Sequence, residues 1–232
     1  QKDNAAARLL KHKRHLDSLC KVVDPTVKHT LDFAYNEGKN YTNMNTGHIV
    51  LDGTLVEHND DKLDVLSGIA IHEKLHVIHS KPLQKWERTY EYDNGLASYQ
   101  SKLLHAIANT VEDEYIEKQL AKDNAGFVSY IASTKEHFFD KEIKLHLDEE
   151  DKSGQYNDIL NTLLALVRYP EAIDNDRRKR HAKHIRFFAR ALANGLDSRE
   201  NTYKCIEALY KYMSQLAQKM SEDVPDDSKD RI

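Results

Sequence analysis

Apolar residues along this chain recur mainly every three or four positions, the spacing of amphipathic helices. Residues 4–23 form the first such segment. Asp24-Pro25 predicts the start of a second helix, which runs to about Glu37 and is stopped by Gly38. Further helices are predicted at about 63–80, 103–120, 127–139, 159–169, 181–194 and 198–220.

A short strand interrupts the helical pattern. His48-Ile49-Val50-Leu51-Asp52-Gly53 is a β-branched, apolar run followed by a turn. Residues 81–95 are expected to form a loop or a short helix. The helix between these two segments is expected to have one of three aspartates as its N-cap, namely Asp60, Asp61 or Asp64. The pattern predicts a mainly α fold with a small β element (α+β).

Composition supports that fold class. The chain has 232 residues, 8 Gly and 4 Pro, with 40% hydrophobic and 31% charged residues, a profile that favours helices over β-sandwiches. Its net charge of −4 argues against a surface built throughout for nucleic acid. Cys20 and Cys205 stand alone, so neither a thiolate zinc site nor a disulfide framework is indicated. Without a signal peptide or an 18-residue apolar run, the chain is expected to be soluble and cytoplasmic.

Three segments are predicted along the chain. Residues 1–148 are expected to form one domain with N-terminal helices, and 149–220 a helical subdomain packed on it. The acidic, Gly- and Ser-containing stretch 149–154 is the predicted linker. Residues 221–232 form an acidic disordered tail. Because the chain opens on Gln1 and closes on this tail, it is expected to be a fragment of something longer.

The sequence H-E-x-x-H is the strongest chemical signal in the chain. His72 and His76 are four residues apart, so on a helix both imidazoles leave the same face. Two neutral imidazole nitrogens at this spacing can bind one Zn²⁺. Glu73 lies beside them, where a carboxylate serves as a general base. The alternative is a set of surface histidines on an amphipathic helix.

The third zinc ligand is expected on the helix predicted over 103–120, where acidic residues interrupt an apolar stripe. A carboxylate in such a place is costly unless it is paired or binds a metal. Asp113 is the first candidate and Glu112 the second. Asn109 and Glu117, one turn to either side of Asp113, are expected to orient the ligands by hydrogen bonds. The alternative is an acidic, solvent-exposed helix face.

Other residues near the motif have weaker claims. His79 shares a face with His76, but three ligands from one straight helix converge poorly, so it is expected to orient a ligand or face the substrate. His105 is a further candidate ligand. Tyr90, or again His79, is a candidate for stabilising an oxyanion.

These motifs resemble a known group. A strand ending IVLDG, a helix with HEKLHVIHS and a later helix with NTVEDEYIE resemble the zincin-like metallopeptidase domains that occur with von Willebrand A domains and MoxR-type AAA+ ATPases. Cobaltochelatase CobT-like proteins, some phage-encoded, belong to this group. The resemblance covers about residues 46–120. It implies His72 and His76 as zinc ligands, Glu73 as general base and an acid of the Glu112-Asp113 pair as third ligand.

Three functions remain open from the sequence. The first is a zinc-dependent hydrolase, most simply a metallopeptidase acting on a peptide or protein. The second is a zinc-stabilised, non-catalytic subunit of an AAA+ ATPase complex. The third is nucleic-acid binding through the basic residues 177–190. If the protein is viral, the host cytoplasm is the expected location.

Overall fold

The computed structural model describes residues 2–34, 40–138, 147, 155–193 and 195–222. These residues hold nine α-helices and three β-strands, so the prediction of a mainly α fold with a small β element is confirmed. In chain order the elements are α1 (Lys2–Val23), β1 (Thr30–Ala34), β2 (Tyr41–Asn43), β3 (His48–Asp52), α2 (Leu63–His79), α3 (Lys81–Asn94), α4 (Ser98–Asp123), α5 (Val128–Phe138), α6 (Gln155–Arg168), α7 (Asn175–Arg180), α8 (Ala182–Leu192) and α9 (Arg199–Glu222).

The chain divides into two compact units. The first comprises Gln1–Trp86 and Ile116–Phe138, and the second comprises Glu87–Tyr115 and Phe139–Ile232. The boundary predicted at residue 149 lies outside the described residues. The linker predicted at 149–154 lies outside the described residues. Of the predicted tail, residues 221 and 222 complete α9, and the remainder lies outside the described residues.

The sheet of the first unit has the strand order β1-β3-β2. β1 runs parallel to β3, with Leu31 opposite Ile49, whereas β2 runs antiparallel to it, with Thr42 also opposite Ile49. β3 is the predicted strand, and it is confirmed. Gly47, with φ +72°, turns the chain into β3, and a Cβ there would meet the Lys28 carbonyl oxygen at 2.7 Å.

The helix predicted from Pro25 to Glu37 is wrong, because Thr30–Ala34 is strand β1. Asp24 does not cap a helix. Its Oδ1 accepts hydrogen bonds from the backbone N–H and the hydroxyl of Thr26, at 2.8 and 2.7 Å, and so makes a turn. Leu31 is 3% exposed. Burial of this side chain and pairing with β3 outweigh the local helical pattern. Both depend on residues distant in the sequence.

The helix that carries H-E-x-x-H is central to the first unit. Buried residues of α1, the sheet and α2 form one hydrophobic cluster, with Val65, Leu66, Ile69, Ala70 and Val77 as the contribution of α2. Lys62 precedes α2, and no side chain caps the helix, so the predicted aspartate N-cap is wrong. Asp60 instead lies 3.0 Å from His12 Nε2, and Asp64 lies in the first turn.

α5 packs closely against α2. The contact is made at Gly68, where a Cβ would overlap the Thr134 hydroxyl and the Tyr130 carbonyl. The same hydroxyl donates a hydrogen bond to the Val65 carbonyl at 3.0 Å. A glycine is therefore needed for α5 to approach, and this approach places the next residue, Lys135, within reach of α4.

The second unit contains α6 to α9. Apolar residues of α6 and α9 are buried there, among them Ile159, Leu163, Ile206, Leu209 and Met213. The predicted helices of this region are confirmed, and the Ser198 hydroxyl, just before the last one, accepts a hydrogen bond from Asn201 N at 3.2 Å. The segment 81–95, predicted as a loop or short helix, contains the 14-residue helix α3 (Lys81–Asn94). Within the described residues no helix is long and apolar enough to cross a membrane.

Candidate metal centre

The two histidines of the motif converge on one point. His72 and His76 are both half-buried on α2, and their rings meet edge to face with centroids 4.8 Å apart. Their Nε2 atoms lie 3.1 Å apart. Two nitrogens bound to one zinc at the usual distance and a tetrahedral angle are about 3.3 Å apart. The pair is therefore close to the geometry of two ligands of one ion.

The other nitrogen of each ring has its own partner. His72 Nδ1 lies 3.1 Å from Glu117 Oε1, and His76 Nδ1 lies 2.9 Å from the Ser80 hydroxyl. An ionised carboxylate only accepts, so His72 carries a proton on Nδ1, and in the neutral ring Nε2 presents its lone pair. A hydroxyl accepts or donates, so Ser80 suits either tautomer of His76. Both Nε2 atoms are thus able to act as ligands.

Asp113 of α4 supplies the third potential ligand. One ligand atom each of His72, His76 and Asp113 lie within 4.8 Å of one another. One tetrahedral ion bound by all three requires separations of about 3.3 Å between these atoms. Two imidazoles and a carboxylate make a donor set that zinc accepts, with a fourth position left open as a catalytic site requires.

Glu112, the second candidate for the third ligand, lies elsewhere. It is 1% exposed, and both of its oxygens accept hydrogen bonds from the Arg199 guanidinium, with Oε1 at 2.8 Å from Nη2. Arg199 also stacks on the Tyr115 ring, with 4.1 Å from Cζ to the ring centroid. The acid is buried because it is paired with an arginine, which the sequence pattern does not distinguish from metal binding.

Glu73 is held by the edge strand of the sheet. The side chain is 9% exposed, and Oε2 accepts a hydrogen bond of 2.6 Å from the Thr42 hydroxyl on β2. That hydroxyl also lies 3.2 Å from the Glu73 carbonyl oxygen. The carboxylate of the motif is therefore oriented by a residue of the sheet.

Glu117 links the histidine to a lysine. One oxygen faces His72, and the other lies 2.8 Å from Lys135 Nζ on α5. Glu117 is 9% exposed, so a nearby cation is needed for its charge to be tolerated. The predicted orienting role of Glu117 therefore has a hydrogen bond to support it, and Lys135 holds the carboxylate in place.

Lys74, the middle residue of the motif, is buried on the opposite side of α2. Its side chain is fully buried; Nζ donates a hydrogen bond to the Val27 carbonyl and lies 3.2 Å from His29 Nδ1. His29 Nε2 in turn lies 3.1 Å from Asp17 Oδ1. Burial lowers the pKa of Lys74, and burial together with the Lys74 charge lowers the pKa of His29. This chain of contacts ties α2 to α1 and to the segment before β1.

The remaining sequence candidates lie outside the three-residue group. His79 is half-buried at the end of α2, and Asn109 is exposed on α4. His105 Nδ1 lies 2.9 Å from Glu87 Oε1, and the Tyr90 ring packs edge to face on Tyr210.

Three residues that support the site were missed in the sequence: Ser80 and Thr42 contact the motif, and Lys135 contacts Glu117. Ser80 could have been found, because it stands four positions after His76 on the same helix face. Thr42 and Lys135 are separated from their partners by 31 and 18 residues and carry no local signal of their own.

No protein-family model matches the chain, and no curated protein or solved structure matches it significantly. The support for a metal centre is thus the geometry of His72, His76 and Asp113, without a similar protein beside it. The resemblance of residues 46–120 to the zincin-like group stays a prediction.

Proposed function

We propose that the protein is a zinc-dependent hydrolase, most simply a metallopeptidase. The observation that carries this proposal is the convergence of the His72 and His76 Nε2 atoms at 3.1 Å, with both Nδ1 atoms already engaged. Without a cation, neutral His72 and His76 have at most one proton between their two Nε2 atoms. With a cation, both lone pairs have the same partner, which makes a divalent ion the better occupant.

The remaining residues have defined roles in this proposal. Asp113 supplies the third ligand, and Glu117, held by Lys135, fixes the orientation and tautomer of His72. Zinc, when bound, lowers the pKa of its water and polarises a carbonyl group. Glu73, oriented by Thr42, takes the proton of the attacking water and returns it to the leaving amine.

The first experiment measures zinc content by elemental analysis after purification and again after zinc addition. The wild-type chain is expected to contain about one zinc, and His76→Ala is expected to lose it. His58→Ala is the matched control, because the His58 side chain is 87% exposed and belongs to no metal-ligand group of the described residues. Equal zinc in all three, or none in the wild type, would contradict the proposal.

The second experiment separates catalysis from a structural metal. Glu73→Gln keeps the shape and the hydrogen bond from Thr42 but removes the general base. A peptidase loses turnover on a mixed peptide library and keeps its zinc. If the wild type holds zinc but cleaves nothing, the alternative is favoured, namely a zinc-stabilised, non-catalytic subunit that works with an AAA+ ATPase.

A further inference from the structure

A basic run in the second unit is not explained by the metal centre. Residues 177–190 contain seven Lys or Arg, two His and no Asp or Glu, in a chain whose net charge is −4. A local run of this kind is either a solvated helix face or the footprint of an anionic partner. The structure distinguishes the cations that serve the fold from those that do not.

The first part of the run serves the fold. Arg177 is 5% exposed and donates hydrogen bonds to Asp158 Oδ1 at 2.5 Å and to the Leu147 carbonyl at 2.6 Å. Arg178 folds back onto the Ile173 and Pro170 carbonyl oxygens, at 2.9 and 2.7 Å. These two arginines hold α7 in place, which leaves the later part of the run as the candidate surface for a partner.

The second part of the run is a separate surface on α8. Lys183, Arg186 and Arg190 are exposed, and their spacing of three and four residues places them in one row along the helix. The exposed residues beside them are alanines 182, 189 and 193. We call the row of three cations the α8 basic row.

The apolar side of α8 is already covered within the unit. Phe188 is fully buried, and the Phe187 ring stacks on Tyr212 with centroids 4.1 Å apart. The helix therefore has no apolar face left to insert into a membrane, as an interfacial helix requires. The α8 basic row offers charge and small side chains, and it has none of the aromatic side chains that anchor many protein interfaces.

We propose that the α8 basic row binds the phosphate backbone of nucleic acid. Lys183 and Arg190 are seven positions apart on the helix, a rise of about 10 Å. Over about 10 Å of the duplex axis, one strand carries about three phosphates, the same number as the cations in the row. The alanines allow a backbone to approach the helix closely. This function is independent of the metal centre.

The test is fluorescence anisotropy of the full chain with labelled 20-nucleotide probes, single-stranded DNA, RNA of the same sequence, and duplex DNA, at about 50 mM salt. The variant Lys183→Ala/Arg186→Ala/Arg190→Ala removes the row. The control variant Lys11→Ala/Lys204→Ala/Lys211→Ala removes three exposed helical lysines, so both variants change the net charge equally. Circular dichroism and melting temperature check that both remain folded.

The wild type and the control are expected to bind at micromolar concentration, and the row variant about tenfold more weakly. The slope of log K against log salt is expected to fall by about 2 to 3 in the row variant, because three phosphate contacts are lost. The proposal is overturned if the wild type binds none of the probes, or if the row variant and the control bind alike. Tighter binding to a poly-glutamate peptide than to every oligonucleotide would overturn it in favour of an acidic protein partner.

Discussion

Lys135 Nζ lies 2.8 Å from Glu117 Oε2, and the other oxygen of this carboxylate faces His72 Nδ1. A cation on α5, an anion on α4 and an imidazole on α2 thus form one line of contacts that ends at the candidate metal site. The line depends on helix packing, because α5 approaches α2 only where Gly68 leaves room. The contact of α5 with α2 contains no metal ligand, but it positions Lys135 and so is expected to affect metal affinity.

Glu117→Gln is expected to lower zinc affinity by about 10- to 100-fold, since the neutral amide no longer favours the proton on His72 Nδ1. Lys135→Met is also expected to lower zinc affinity, because Glu117 then lacks its nearby cation and turns away or takes up a proton. Competition with a fluorescent zinc chelator at fixed pH measures both. Glu136→Gln, an exposed neighbour on α5, is the control. Unchanged affinity in Glu117→Gln would contradict the orienting role.

Much of the fold could be predicted, because the local pattern decides it. The periodic apolar spacing of α1 and α4 and the nearly continuous apolar runs of α2 and β3 are visible in the sequence, and these residues are buried in the structure. β1 could not be predicted, because it exists through pairing with β3 across 18 positions. The sequence also left two candidates for the third zinc ligand, for a related reason. Asp113 and Glu112 are adjacent acids, and only the position of Arg199, 87 residues from Glu112, distinguishes them.

Thr42→Val is expected to reduce turnover by about tenfold while zinc content stays the same. The change removes the hydroxyl that holds Glu73 Oε2 at 2.6 Å and keeps the side-chain volume. A hydrogen bond to a charged group contributes about 1.5–3 kcal/mol, and 1.4 kcal/mol corresponds to a factor of ten in rate. Thr42→Ser keeps the hydroxyl and should retain most of the activity. Loss of zinc in Thr42→Val would instead assign the residue to metal binding.

Gly68→Ala is expected to destabilise the protein by about 1–3 kcal/mol, because the added methyl group overlaps Thr134 and the Tyr130 carbonyl at the contact of α5 with α2. Gly126→Ala is the matched control, since a Cβ at that position meets nothing within 4 Å. Urea unfolding followed by circular dichroism measures both changes. If the two variants have the same free energy of unfolding, the close approach of the helices is not maintained in solution.

Arg199→Met is expected to destabilise the protein by about 3 kcal/mol, because it removes the guanidinium from a carboxylate that is 1% exposed. Arg190→Met, at an exposed position of α8, should change the free energy of unfolding by less than about 0.5 kcal/mol. Equal stability of the two variants would mean that Glu112 has a different main partner, and metal binding by Glu112 would then need direct testing.

His29 and His105 are expected to titrate on opposite sides of pH 6.5. Burial and the Lys74 charge lower the pKa of His29, whereas the hydrogen bond to Glu87 raises the pKa of His105. NMR titration of the ring protons in metal-free protein measures both, with His29→Gln and His105→Gln for assignment. Midpoints on the same side of 6.5 would contradict the contacts described for one of the two residues.

The same two shifts give opposite effects of pH on stability. Below pH 6.5 the unfolded chain protonates His29 while the folded chain does not, so the contribution of His29 is complete above 6.5 and decreases as the pH falls towards its folded pKa. The contribution of His105 is complete below 6.5 and is lost as the pH rises through its raised pKa. The His105 side chain is 70% exposed, so solvent screens its ion pair and the effect of His29 should be the larger. Urea unfolding between pH 5 and 8 should therefore show a fall in stability on the acid side that is smaller in His29→Gln.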